Sequence, residues 1–150
     1  MELVIINKEN LFELDSIMDM IYEEWGRTFS SSKQVKLSKI KQAVLNDEKF
    51  PKIYLLKHNN NNIGTFSILE HDLKNSDLSP WLACVVVSKQ YRGMGYGSTL
   101  LQFINQVIKR SYPIVYLTTE FNGFYEKIGF KFVKLINNNG KNNRLYVKTW

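Results

Sequence analysis

Residues 90–97 read QYRGMGYG, with glycine at 93, 95 and 97, Arg92 just ahead of them and the apolar run WLACVVV upstream. Glycine that dense costs backbone entropy inside a helix or strand, so it marks a place where the main chain turns tightly or is approached closely. A strand-to-helix junction here would present the unpaired N–H groups of a first helical turn, which bind anions. The implied chemistry is the holding of a phosphate-bearing group. Two phosphate loops can be tested against the spacing. A GxxxxGK[ST] loop fails, because Ser98 and Thr99 follow Gly97 with no lysine between. A GxGxxG dinucleotide loop fits Gly93 and Gly95 but meets Ser98 at its third place, and SKQYR (88–92) intervenes after Val87. Glu120 would supply its ribose-binding acid, yet only 30 residues follow, too few for the second half of such a fold. Other residue types offer less. Cys84, the single cysteine, reads as a buried, inert thiol in a strand. His58 and His71 lack the paired Cys/His spacing of structural zinc.

The elements that must position the glycine loop follow from apolar periodicity. LVII (3–6) is a short strand, and Leu11, Leu14, Met18, Ile21 and Trp25 then recur at helical spacing. Gly26 closes that first helix. Ser31 with Gln34 has the form of a capping box and opens a second helix, with Val35, Ile40 and Val44 facing inward. KIYLLKH (52–58) and IGTFSILEH (63–71) form a hairpin about the asparagines 59–62, since asparagine tolerates left-handed turns. After the polar loop LKNSDLSP (73–80), WLACVVV (81–87) runs without polar interruption, the pattern of a strand covered on both faces. Beyond the glycines, Leu100, Leu101, Ile104, Val107 and Ile108 make a helical stripe, and IVYLTT (114–119) is the next strand. Strand, helix and strand at this spacing form a βαβ unit with parallel strands. A short helix around GFYEKI (123–128), stopped by Gly129, leads to two closing strands, FKFVKLI (130–136) and NRLYVKTW (143–150), joined by NNNGKN (137–142).

VVVSKQYRGMGYGSTLL (85–101) resembles the cofactor-binding motif of the GNAT superfamily of acyl-CoA-dependent N-acyltransferases, whose Q/R-x-x-G-x-G/A pattern falls on Arg92, Gly95 and Gly97. Some thirty residues later FYEKIGF, Phe124–Phe130, is similar to that family's second motif, and the element order matches over nearly the whole chain. The resemblance implies an α/β (α+β) fold in a single domain, 1–150. Its sheet is central, mixed and mostly antiparallel, with six to seven strands, about four helices and one splayed parallel pair. It implies acetyl-CoA as acyl donor, no metal, and direct attack by a primary amine in a ternary complex. The pantetheine arm would pair with the main chain of Val85 and Val87, and Val86 would offer an N–H to the developing oxyanion. Arg92, at the head of the loop, is an expected cofactor-binding residue, and the diphosphate would rest on the N–H groups of Gly93, Met94, Gly95, Tyr96, Gly97 and Ser98. Tyr125, whose family counterpart faces the cofactor sulfur, is the expected acid. Glu70 and Asp72, after the third strand and near the expected acceptor site, are the expected bases, with Glu120 a further carboxylate. Many members carry asparagine seven residues before that tyrosine; Thr118 stands there in this chain, and Asn122 is expected to take over the pantetheine contact. Read from the residues alone, Glu23, Glu24 and Trp25 would form a wall suited to a cationic amine, or else Trp25 belongs to the core stripe and the glutamates are simply solvated.

Composition bounds these readings. A chain of 150 residues, 44% hydrophobic, can build one core. No apolar run approaches the roughly 20 residues that cross a bilayer, and MELVIINKEN lacks the regions of a signal peptide. A cytoplasmic location without a membrane partner is therefore expected. The net charge of +6 comes from scattered lysines, and the richest stretch, KQVKLSKIKQ (33–42), reads as a solvated helix face, so no nucleic-acid partner is expected. The expected partner is a small-molecule or peptide amine, and homodimerisation is left open. The competing classes are a nucleotide- or dinucleotide-binding domain and a basic nucleic-acid-binding module.

Overall fold

The computed structural model describes residues 1–138 and 140–150. Its elements are, in chain order, strand β1 (Glu2–Ile5), helices α1 (Leu14–Trp25) and α2 (Lys33–Leu45), strands β2 (Lys52–His58), β3 (Asn61–Leu69) and β4 (Trp81–Val87), helix α3 (Tyr96–Ser111), and strands β5 (Ile114–Thr119), β6 (Lys131–Asn138) and β7 (Lys141–Thr149). Among the described residues there are thus three α-helices; the fourth expected helix, around GFYEKI, is a single 3₁₀ turn over Tyr125–Ile128. The seven strands make one mixed sheet in the order β1-β2-β3-β4-β5-β7-β6. β4 and β5 are parallel, with Trp81 opposite Tyr116, and the Tyr116 N–H donates to the Pro80 carbonyl at 3.0 Å. β1–β2, β5–β7 and β6–β7 are antiparallel. The centre of the last expected turn, Asn139, lies outside the described residues.

The chain divides into two compact units, the first comprising Met1–Ser67 and Cys84–Leu100. Its core forms because α1 places Leu14, Ile17, Met18 and Ile21 on one stripe, and these pack with Ile6, Ile53, Leu55 and Val86. Polar pairs in this unit include Lys57 with Glu13, Asn62 Nδ2 with Ser16 Oγ at 2.9 Å, and the Thr65 hydroxyl with the Tyr54 carbonyl at 2.7 Å. Gly64 admits a close approach of β3 and β4, since a Cβ there would stand 2.8 Å from the Val86 carbonyl oxygen. The β2–β3 turn is tighter than the sequence suggested. Asn59 and Asn60 both take positive φ (49° and 64°), as a two-residue hairpin turn requires, so β3 already begins at Asn61.

Three expectations in this unit need correction. The cap of α2 is Ser32, not Ser31; its Oγ accepts the Val35 N–H at 3.2 Å. Val35 faces solvent with 47% of its surface exposed, while Ile40 and Val44 do pack against the core. A helix whose polar face is mostly lysine carries a weak apolar stripe, so its phase is hard to read. Cys84 is half-buried and sits at φ 55°, a left-handed residue inside β4. Non-glycine residues rarely adopt that region, and one inside a strand kinks it and re-aims the residues beyond.

The second unit comprises Ile68–Ala83 and Leu101–Trp150. Trp81, Ile104, Ile108, Val115, Leu117, Phe130, Leu145 and Tyr146 are buried. The Trp81 and Tyr116 rings meet at 5.5 Å across the parallel pair. The β6–β7 register shifts between Phe132 and Lys134, so β6 carries an irregularity. No helix among the described residues is long and apolar enough to cross a membrane.

Candidate active site

The glycine loop lies wholly in the first unit, as one continuous run from β4 to α3. The Ser88 N–H donates to the Ile63 carbonyl at 2.8 Å, closing β4, and a 3₁₀ turn over Lys89–Tyr91 comes next. Gly93 and Gly95 then take φ of 77° and 84°, and a Cβ at either would meet nothing within 4 Å. Conformation therefore requires glycine here, rather than crowding by the rest of the protein. The Thr99 N–H bonds the Gly95 carbonyl at 3.4 Å, the first bond of α3. Tyr96, Gly97 and Ser98 thus hold their N–H groups without an intrahelical acceptor, at the positive end of a helix of 16 residues. Open left-handed glycines in front of free first-turn donors fit a diphosphate.

The side chains around the loop have defined partners. Arg92 donates from Nε to the Val87 carbonyl at 2.9 Å and from Nη2 to Glu24 Oε2 at 2.9 Å. Lys89 pairs with Glu23 at 3.3 Å. Trp25 packs against the core of its unit. Of the expected acceptor wall, Glu23 and Glu24 are thus paired with the loop's cations and Trp25 belongs to the core packing. The Tyr96 ring lies 6.2 Å from Tyr91 and 6.3 Å from His58, an aromatic group at the start of α3. Met94 projects from the loop, 64% exposed. Of the β4 residues, Val86 is buried, and Val85 and Val87 are half-buried.

In the second unit Tyr125 begins the 3₁₀ turn and is buried, with edge-on ring contacts to Phe124 at 5.0 Å and Phe130 at 6.1 Å. Burial pushes its phenol far above the ordinary tyrosine range, so it stays protonated. Gly129, at φ 92°, ends the turn, and its N–H returns to the Glu126 carbonyl at 3.0 Å. Asn122 is exposed in the preceding loop. That loop is held by a residue absent from the expected site: the Glu126 carboxylate accepts the Gly123 N–H at 3.0 Å and the Tyr146 hydroxyl at 2.9 Å. The signal was an acid three residues after a loop glycine, where it can reach back to a free N–H. Lys148 pins the other end of the turn, donating to the Ile128 carbonyl and to Asn105 Oδ1. Burial, with Lys109 nearby, holds its ammonium below the ordinary lysine range. Glu70 and Asp72 are exposed just beyond β3, and Glu70 lies 3.5 Å from His71. Glu120 is paired with Lys141 at 3.6 Å.

The family model for the acetyltransferase (GNAT) domain matches residues 50–132, more than half of the chain, including both the glycine loop and the Tyr125 turn. The chain belongs to that family. No curated protein matches its sequence. Solved structures share the fold. An aminoglycoside 6'-N-acetyltransferase complexed with coenzyme A is 17% identical with a TM-score of 0.73, over 99% of this chain and 97% of that one. The aminoglycoside 6'-N-acetyltransferase from Enterococcus faecium is 17% identical with a TM-score of 0.71, again over 99% and 97%. The ribosomal-protein-alanine N-acetyltransferase from Brucella melitensis is 13% identical with a TM-score of 0.71, over 98% and 99%.

Proposed function

We propose that this acetyltransferase moves an acetyl group from acetyl-CoA to a primary amine of a small molecule or peptide, by direct attack in a ternary complex. The observation that carries the reading is the start of α3, where two left-handed glycines precede three N–H groups without intrahelical acceptors. These groups would hold the diphosphate, and the Val85 and Val87 main chain and Asn122 would hold the pantetheine arm. When bound, acetyl-CoA supplies an activated acetyl thioester. The chain's own residues then orient and move protons. An alkylammonium titrates near pH 10.4, so on the order of one amine in a thousand is neutral at pH 7. Glu70 or Asp72 would take that proton and raise the fraction able to attack. The Val86 N–H would stabilise the oxyanion. Tyr125, kept protonated by burial, would deliver its proton to the departing sulfur.

Isothermal titration tests donor binding: acetyl-CoA should bind, with NAD and ATP much weaker. A panel of polyamines, amino acids, aminoglycosides and peptides, scored by release of free CoA, tests the acceptor class. Preference for NAD would favour the dinucleotide reading, and reaction with hydroxyl or thiol acceptors alone would defeat N-acetylation.

A further inference from the structure

We propose that Glu24, on the last turn of α1, is a positioning residue for the diphosphate loop and acts through Arg92; the inference rests on the acetyl-CoA reading above. Acidic residues at a helix C-terminus oppose the helix dipole, and the last turn of α1 carries Glu23 and Glu24 and no basic residue. Such a placement is stabilised when cations from elsewhere meet the carboxylates. Here both cations come from one loop: Lys89 reaches Glu23 and Arg92 reaches Glu24, from the start of the 3₁₀ turn and from the residue just after it. Arg92 is the last extended residue (φ −72°, ψ 152°) before the chain turns left-handed at Gly93. Its guanidinium is forked between two elements, the Val87 carbonyl of β4 and the Glu24 carboxylate of α1. Rotation at Arg92 would redirect every N–H beyond it in the loop, so the fork fixes the direction in which the loop's donors point before any ligand arrives. That is preorganisation of an anion site.

The fork has two consequences. The guanidinium charge is answered within the protein, so anion affinity rests on main-chain N–H groups. Glu24 serves the donor side of the reaction, in place of the acceptor side. The pair is exposed, 44% for Arg92 and 38% for Glu24, so the effect is bounded by what such pairs contribute.

The test compares wild type, Glu24→Gln, Arg92→Gln and the double variant for affinity to acetyl-CoA and to acetyl-pantetheine, which has the same arm and thioester without the diphosphate. Glu24→Gln should weaken acetyl-CoA roughly two- to five-fold, the range an exposed ion pair supports. Its affinity for acetyl-pantetheine, its kcat and its acceptor KM should hold. The double variant should bind no more weakly than Arg92→Gln alone, the mark of a residue acting through the other. Glu24→Asp should recover part of the loss. Equal losses on both donors, additive losses in the double variant, or a raised acceptor KM at unchanged acetyl-CoA affinity would overturn the inference alone. A wild type without acetyl-CoA affinity would overturn the proposed function and this inference together.

Discussion

Burial of the Tyr125 ring decides how a phenol can serve in this enzyme. An unperturbed phenol titrates near 10 and a thiol near 8.5, so proton transfer to a free thiolate in water would already be uphill, and burial makes it more so. As the proposed acid, Tyr125 would therefore act by placement, as a donor that stays protonated at every working pH. Tyr125→Phe keeps the ring and its contacts to Phe124 and Phe130. We expect kcat to fall by about 100-fold or more with acetyl-CoA affinity nearly unchanged. The loss should be uniform across the accessible pH range, because the phenol's own titration lies above it. Steady-state kinetics with parallel titration calorimetry check this, and undiminished turnover would leave water as the acid. Glu126 supports that turn from outside. Burial alone would raise its carboxyl, but its own backbone N–H, the Tyr146 hydroxyl, the Gly123 N–H and Arg144 together hold it below the ordinary 4.5. A depressed acid contributes stability that is complete above its unfolded value and is lost as pH falls through the folded one. Urea midpoints of the wild type should therefore drop more steeply below about pH 4.5 than those of Glu126→Gln. Parallel slopes would remove Glu126 from the account.

Along the elements, close approach of backbone sets the sharpest demands. Gly64→Ala would bring a Cβ to 2.8 Å from the Val86 carbonyl oxygen, so main chain must shift, at a cost of about 1–3 kcal/mol in equilibrium unfolding. Gly95→Ala meets no neighbour, so its stability cost is the left-handed strain alone, about 1–2 kcal/mol, while its acetyl-CoA affinity should fall far more. A Gly64→Ala protein as stable as the wild type, or a Gly95→Ala protein that binds acetyl-CoA normally, would contradict these assignments. Much of this architecture was legible in the sequence. The α1 and α3 stripes are long periodic patterns and WLACVVV is an unbroken apolar run, and each became the element expected of it. The glycine loop was legible because its composition is costly anywhere else. What stayed hidden has particular causes. Ser31 and Ser32 are adjacent and chemically equal, so only geometry could choose the cap. Cys84 gives no sign of its left-handed conformation, since the usual marker is glycine. Glu24 and Arg92 are 68 positions apart, and no local pattern announces a partner that distant.

Over the molecule as a whole, a net charge of +6 will draw many polyanions, so binding alone does not identify the donor. Stabilisation of the folded state is a stricter measure. A ligand present at about 100 times its Kd and binding only the folded chain adds about 2.7 kcal/mol. For a chain of this length each kcal/mol moves the melting midpoint by about 2–4 °C, so acetyl-CoA should raise Tm by roughly 5–10 °C. At physiological salt, where exposed charges beyond about 8 Å are screened, ATP, NAD and duplex DNA should shift it much less. The same scan tests the reading of residues 1–150 as one domain. Trp25 lies in the first compact unit, and Trp81 and Trp150 in the second, so single-tryptophan variants report on each. One domain predicts coincident transitions, moved together by acetyl-CoA; a unit that melts separately would mark two domains. Gly95→Glu places a carboxylate where the diphosphate is expected and should abolish the acetyl-CoA shift. A DNA-induced shift that survives Gly95→Glu and weakens steeply with salt would instead favour a basic nucleic-acid-binding module.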